Sequence, residues 1–468
     1  MAPNIILVLI DDLGWRDLAC FGSSFYETPH LDRMAREARR FTQAYAACPV
    51  CSPTRASLLT GRYPARIGLT DWIDSSKRIH PARGHLVDVP YLPYLPQTEE
   101  TTATLLRRQG YRTWHVGKWH LGSAATYPER HGFDVNIGGS HMGYPGPNGY
   151  FSPYQIPKLS AGPPGEYLTD RLTNEAIRLI RGRDDRPFYL NLWYYTVHTP
   201  IVAKPEKVEK YRAKARAMGL DRRRALVEGE AFPTEHKKHL SVTRRVLQSD
   251  PVYAAMVESM DENVGRLLQV LHTEGLAANT LVLFTSDNGG LATAESSPTC
   301  NAPLAEGKGW MYEGGTRVPM IAWQPGTVAS GTDCHVPVCS VDVLPTLLRA
   351  TRTPPGRRPL DGTDLTDLLE GGDSLARDAL FWHYPHYGNQ GGTPGSSVRC
   401  GDYKLIEFYE DGRRELYHLA TDPAEEHNLV AAEPHTTREL HERLRAWRHE
   451  VAALYPGPNP DWKSGFPD

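Results

Sequence analysis

"NIILVLIDDLGW", residues 4–15, sets six consecutive apolar residues before two aspartates. An unbroken apolar run of that length reads as a strand covered on both faces, as in a parallel sheet between helical layers. Similar runs recur at "PFYLNLWYY" (187–195), "LVLFTSDNG" (281–289) and "VPMIAW" (318–323). Helical patterns lie between them. "TPHLDRMAREARRF" offers Thr28 as N-cap, Pro29 at the first helical position, and Leu31, Met34, Ala35 and Ala38 on one face. "SDPVYAAMVESMDENVGRLLQVLHTEG" carries a stripe from Met256 to Leu271 and stops at Gly275. Strands alternating with helices predict an α/β domain: a large doubly wound mixed sheet flanked by helices.

The chain of 468 residues is long enough for that domain and a smaller satellite. With 52 basic and 55 acidic residues, its net charge of −3 gives no sign of nucleic-acid or membrane-surface binding. The apolar run at the N-terminus is too short to span a bilayer and lacks a basic flank, so it reads as a strand rather than a signal peptide. A cytoplasmic protein, or a periplasmic or secreted one whose leader has been removed, are both compatible with it. Seven cysteines, of which only Cys48 and Cys51 stand at CxxC spacing with no second such pair, argue against a disulfide framework and against a four-cysteine zinc site.

The Pro- and Gly-rich "TRTPPGRRPLDGTDLTDLLEGGD" (351–373) reads as a surface linker. Beyond it, "SVRCGDYKLIEFYEDGRRELYHL" holds two strand-like runs joined at "EDGR", and residues 436–455 form an amphipathic helical pattern. We divide the chain into a catalytic domain, 1–372, and a C-terminal α+β domain with a short antiparallel sheet, 373–468. The basic stretch from about 200 to 248 reads as a solvated helical excursion.

Ligands of open α/β sheets gather beyond the carboxyl ends of strands. Two such ends are acidic: Asp11 and Asp12 after the first strand, and Asp287 with Asn288 after "LVLFTS". Crowded carboxylates repel one another, and a hard divalent cation such as Ca²⁺ or Mg²⁺ removes that penalty. "HVGKWHLG" supplies Lys118 and His120, two apart and on one face if extended. "YYTVHTP" sets His198 past another strand end, and "EGKGWMYEGGTRVP" flanks Lys308 with glycines. "CSPTRASLLTGR" (51–62) places Cys51 at a helix mouth with Arg55 behind it. Taken alone, Cys51 can be a buried small hydrophobe, a thiolate nucleophile, or the precursor of another group.

Together these motifs resemble the type I sulfatase family of the alkaline-phosphatase-like superfamily. The similarity is strongest to bacterial carbohydrate sulfatases and arylsulfatase A-like members. The signature is "CSPTRASLLTGR"; "GKWHLG", "VHTP", "SDNGG", "GKGWMYEGGTRVP" and "GDYKLI…ELYHLATDPAEEHNL" follow in family order. The resemblance implies that Cys51 is converted by a formylglycine-generating enzyme to Cα-formylglycine. An aldehyde hydrate has two hydroxyls on one carbon: the first, made acidic by a cation, attacks sulfur, and the second expels sulfate as the carbonyl re-forms. The family pattern makes Asp11, Asp12, Asp287, Asn288 and residue 51 the ligands of Ca²⁺, or of Mg²⁺. It makes Lys118 and Lys308 binders of sulfate oxygens, His198 the acid for the leaving alcohol, His120 the base beside the diol, and Arg55 its support. Ser140, in "GGSHMG", lies where some members bind sulfate.

The expected activity is therefore hydrolysis of a sulfuric ester of a carbohydrate. A phosphodiester or phosphonate monoester hydrolase of the same superfamily is the alternative, and a non-catalytic binder of sulfated glycans a third reading. Two stretches rich in aromatics, Gly and Pro, 138–157 and 381–392, have the composition of sugar-stacking loops. They make His141, His383 and His386 candidates for the sugar pocket.

Overall fold

The computed structural model describes residues 2–74 and 82–462. The first apolar run is strand β1 (Asn4–Ile10), the middle of a nine-stranded mixed sheet. Along the sheet the order is Thr332–Cys334, then β2 (Arg39–Tyr45), Arg317–Trp323, Thr280–Ser286, β1, Phe188–Trp193, Arg112–Gly117 and Val135–Ile137, with Val338–Cys339 also on β2. Arg317–Trp323 runs antiparallel to both neighbours; β1 is parallel to the strands on either side. Because successive side chains alternate, Ile6, Val8 and Ile10 enter one core while Ile5, Leu7 and Leu9 enter the other. Leu168–Arg181 and Pro251–Thr273 cover the first face; helix α2 (Cys51–Thr60) and Val343–Thr351 cover the second. Among the described residues, no helix is long and apolar enough to cross a membrane.

Several local expectations are corrected. Helix α1 is only Pro29–Arg36, and the "RRF" that continued its pattern begins β2. Thr28 stands at the N-cap position as expected, but its side chain makes no cap bond to the helix amides: its hydroxyl donates to Asp32 and accepts from the Ala19 amide. The supposed surface linker buries Leu365, Leu368 and Leu369 in the core beneath α2. The basic excursion is a helix, Pro205–Ala217, followed by a two-stranded hairpin, Leu226–Ala231 with Ser241–Arg245. That hairpin packs Val242 and Phe232 against Trp310, close to the site described below.

The C-terminal sheet has four antiparallel strands: Ala379–Tyr384, Gly395–Cys400, Tyr403–Phe408 and Arg414–His418. "EDGR" lies in the last connection, as expected. Helix Pro434–Glu450 covers the sheet with Leu440, Leu444 and Trp447, and Trp447 stacks on Phe381 at 4.9 Å. The apolar cluster beneath also contains Tyr45, Ala47 and Val50, so the two sheets share a core. A buried charged cluster links them further: the Lys404 ammonium lies 3.1 Å from Glu313 and 3.0 Å from Glu425, and the Tyr45 hydroxyl donates to Glu313 at 2.6 Å.

Candidate active site

Parallel pairing in register, with Ile10 opposite Ser286, brings Asp11–Asp12 beside Asp287–Asn288 at the carboxyl ends of adjacent strands. The Asp12 amide donates to Asp287 Oδ1 at 3.2 Å, and Asn288 Nδ2 donates to Asp12 Oδ1 at 2.9 Å. Asp12 turns into left-handed backbone (φ 62°). Helix α2 begins at Cys51 and presents Arg55 one turn later, wholly buried. The Arg55 guanidinium donates to Asp287 Oδ2 through Nε at 2.8 Å, lies 2.7 Å from it through a second nitrogen, and donates to the Lys118 carbonyl at 3.1 Å.

The strand Arg112–Gly117 ends before Lys118, so Lys118 and His120 reach the site from a loop and not from one face of a strand. At Gly117 (φ 107°) a Cβ would stand 1.9 Å from the Trp193 carbonyl oxygen, which is why the chain can turn there. His120, at φ 55°, sets its Nδ1 3.3 Å from Cys51 Sγ while Nε2 meets the Ile73 carbonyl at 2.9 Å. A carbonyl can only accept, so Nε2 carries the proton and the Nδ1 lone pair faces residue 51. Lys118 Nζ donates to Asp11 Oδ2 at 2.6 Å, and Lys308 Nζ to Asp12 Oδ2 at 2.8 Å. His198 Nε2 stands 3.7 Å from Asp12 Oδ2.

Burial dominates the electrostatics. It pushes the Asp11 carboxyl well above the ordinary range, against the pull of Lys118. For Asp12 burial acts the same way but is outweighed by Lys308, with His198 and Lys118 adding, so its pKa falls below the usual value. Burial raises the Cys51 thiol, Lys118 and Lys308 opposing. His198 is held down to about 3 by burial and then by Lys308, and His120 well below its ordinary value by burial and then Lys118. Both imidazoles are thus neutral at neutral pH.

The donor set suits a hard cation. Asp11 Oδ1 and Asn288 Oδ1 are buried without a hydrogen-bond partner. Asp11, Asp12 and His198 offer ligand atoms within 4.8 Å of one another. Unpaired oxygens in the interior are costly unless a cation or donor meets them.

Above these groups opens a cavity of about 510 Å³. Cys51, His120, His198 and Lys308 line its floor, and Trp72, His141, Tyr144, Glu295, Asn389 and Gln390 its walls. His141, in the cavity wall, is stacked on Tyr127. Ser140 is buried one layer back, its carbonyl accepting the His120 amide. His383 and His386 are not in the cavity wall. His383 lies in the strand Ala379–Tyr384, tied to Ser396 and the Leu454 carbonyl. His386 is buried against Thr70. The stretch 381–392 does reach the cavity, but through Asn389 and Gln390. Glu295 and Trp72 carried no motif that composition or spacing could flag.

Family models match as Sulfatase over residues 3–353 and as N-sulphoglucosamine sulphohydrolase, C-terminal, over residues 306–450. The chain is 31% identical to the N-acetylgalactosamine-6-sulfatase of Rattus norvegicus over 465 residues, covering 93% of this chain and 77% of that protein. To arylsulfatase A of Homo sapiens it is 31% identical over 474 residues, 95% and 86% of the two chains. The crystal structure of Ps i-CgsB in complex with k-i-k-neocarrahexaose superposes with a TM-score of 0.77 at 26% identity, over 99% of this chain and 95% of that one. The acidic strand ends, the buried lysines and Cys51 at its helix mouth thus sit in a chain that belongs to the sulfatase family, the hydrolases of sulfuric esters.

Proposed function

We propose that this sulfatase removes sulfate from a sulfated carbohydrate, using residue 51 after its conversion to Cα-formylglycine by a separate maturation enzyme. In that form residue 51 would supply a hydrated aldehyde, and Asp11, Asp12, Asp287 and Asn288 would hold a divalent cation, Ca²⁺ or Mg²⁺, which would supply Lewis-acid activation of its hydroxyl. The rest falls to the chain's own groups. His120 Nδ1, already facing residue 51, takes up the proton when sulfate is expelled. Arg55 holds Asp287 in place and lends positive charge behind it. Lys118 and Lys308 neutralise the sulfate oxygens, the kind of preorganised charge stabilisation that is usually the largest catalytic contribution. His198, on the cavity floor beside Asp12, is the group we set against the leaving oxygen.

The observation that carries this reading is the approach of Cys51 Sγ to the unprotonated Nδ1 of His120 at 3.3 Å, on the floor of a cavity that Lys308 also lines. The carbohydrate part rests on the sugar-directed names of the relatives and on a cavity of about 510 Å³ with Trp72 and Tyr144 in its wall. Coexpression with a formylglycine-generating enzyme, followed by sulfate release from N-acetylgalactosamine 6-sulfate, other sugar sulfates and an aryl sulfate, tests it. Release that is lost in Cys51→Ala is expected, with phosphate esters of the same alcohols turned over more slowly. No release from any sulfate ester by protein whose residue 51 is fully converted would overturn it.

A further inference from the structure

Four consecutive residues without a glycine, Ala294, Glu295, Ser296 and Ser297, take left-handed backbone, with φ of 53°, 43°, 78° and 39°. Left-handed backbone is strained for a residue with a side chain, so the turn persists because its surroundings impose it. The hairpin formed by residues 226–245 does so. The Ala294 amide donates to the Thr243 carbonyl at 2.9 Å, the Ser297 hydroxyl to the same carbonyl at 3.0 Å, and the Arg245 amide to the Ala292 carbonyl at 2.8 Å.

What the turn presents is the Glu295 carboxylate, at the wall of the cavity whose floor is Cys51 and Lys308. Lys308 lines the same cavity. Two side-chain amides from the C-terminal region orient it: Asn389 Nδ2 donates to one oxygen, and Gln390 Nε2 to the other at 3.2 Å. Lys237, from the hairpin, anchors Asn389 by donating to its carbonyl at 2.9 Å. Three segments distant in sequence thus fix one exposed acid at the mouth of a site built for an anion.

A carboxylate accepts about four hydrogen bonds, and the amides use two. The remainder asks for donors, which sugar hydroxyls and N–H groups are and a second sulfate is not. We propose, resting on the sulfatase reading above, that Glu295 is a specificity residue: it receives hydroxyl or amide donors of the sugar ring seated in the cavity and turns away rings bearing a second sulfate on that side. The substrate class is then a glycan terminus whose reacting ring carries one sulfate, the one held at Lys308.

Binding separates this from catalysis. In the full chain carrying Cys51→Ser, calorimetry would compare N-acetylgalactosamine 6-sulfate with its 4,6-disulfate, and glucosamine 6-sulfate with its 2-N,6-O-disulfate. The monosulfated sugar is expected to bind tighter in both pairs. Adding Glu295→Gln should narrow the preference about tenfold in at least one pair, the scale of one removed like-charge contact. Glu295→Asp should keep the preference, and Glu228→Gln, an exposed acid on the hairpin, should leave it unchanged. Equal binding of mono- and disulfated sugars with Glu295 present, preferences untouched by the Gln change in both pairs, or no binding of any of the four would overturn the proposal. Sulfate release by the matured enzyme, measured separately, distinguishes its failure from failure of the hydrolase reading.

Discussion

Replacing Arg55 by Met removes the counter-ion of the acidic strand ends while nearly keeping its length. Two contacts to Asp287 are lost, at 2.8 and 2.7 Å, together with the bond to the Lys118 carbonyl. At about 1.5–3 kcal/mol for a hydrogen bond to a charged group, the single Nε bond to Asp287 is worth about 1.5–3 kcal/mol, and the second nitrogen adds an ion-pair contact. Stranding one partner of a buried ion pair independently costs about 3–5 kcal/mol. We therefore expect a loss of about 4 kcal/mol, read from urea unfolding by tryptophan fluorescence in the presence of a chelator. The Trp193 ring, 5.3 Å from the Arg55 guanidinium, should report the change. Excess Ca²⁺ should recover part of the loss, because a cation neutralises the same carboxylates that Arg55 faces. A loss below about 1 kcal/mol would refute the counter-ion role, since it would equal that of a surface pair. Indifference to Ca²⁺ would refute the shared carboxylate set.

Chelator treatment of the unaltered protein should lower its melting temperature, and Ca²⁺ at a hundredfold excess over its dissociation constant should restore about 2.7 kcal/mol, measurable by scanning calorimetry. Gly117→Ala should destabilise by about 1–3 kcal/mol through overpacking against the Trp193 carbonyl, and should lower kcat as well by displacing Lys118. Burial lifts the Glu425 carboxyl from its ordinary 4.5 to about 7, Lys404 opposing. The folded state therefore holds a proton that the unfolded chain has released, so this contribution is complete below pH 4.5 and is lost as pH rises through about 7. Unfolding midpoints compared at pH 5 and pH 7.5 should show the fall in the unaltered protein, and a shallower one in Glu425→Gln.

The sheet was legible because its inner strands are apolar on both faces: β1 sends alternate residues into two different cores, so no polar residue interrupts the run. β2 was not, since "RRFTQAY" begins with two arginines and continues a helical period, and it becomes a strand through pairing with Arg317–Trp323 on one edge and with Thr332–Cys334 and Val338–Cys339 on the other. The four strands near the C-terminus were seen as one hairpin because "FWHYPHYG" has the composition of a loop while its first half is strand. Within the site, the acids and bases announced themselves by lying past strand ends or in short motifs. His383 and His386 misled because an aromatic-rich stretch does not say which of its side chains points outward. Glu295 was invisible for a different reason: its position depends on a backbone conformation imposed by a hairpin some fifty residues away in the chain.

Glu313 lies five positions after Lys308, and it is clasped from the far sheet by Lys404. Excising the last hundred or so residues to obtain a minimal enzyme would strip that buried acid of its ammonium partner, leaving it Tyr45 and Arg317, and the segment bearing Lys308 would lose a mooring. Lesions in the small sheet, although remote from the chemistry, should then surface as lost turnover before they surface as lost solubility. Engineering efforts on this chain therefore have to treat its two lobes as one working part.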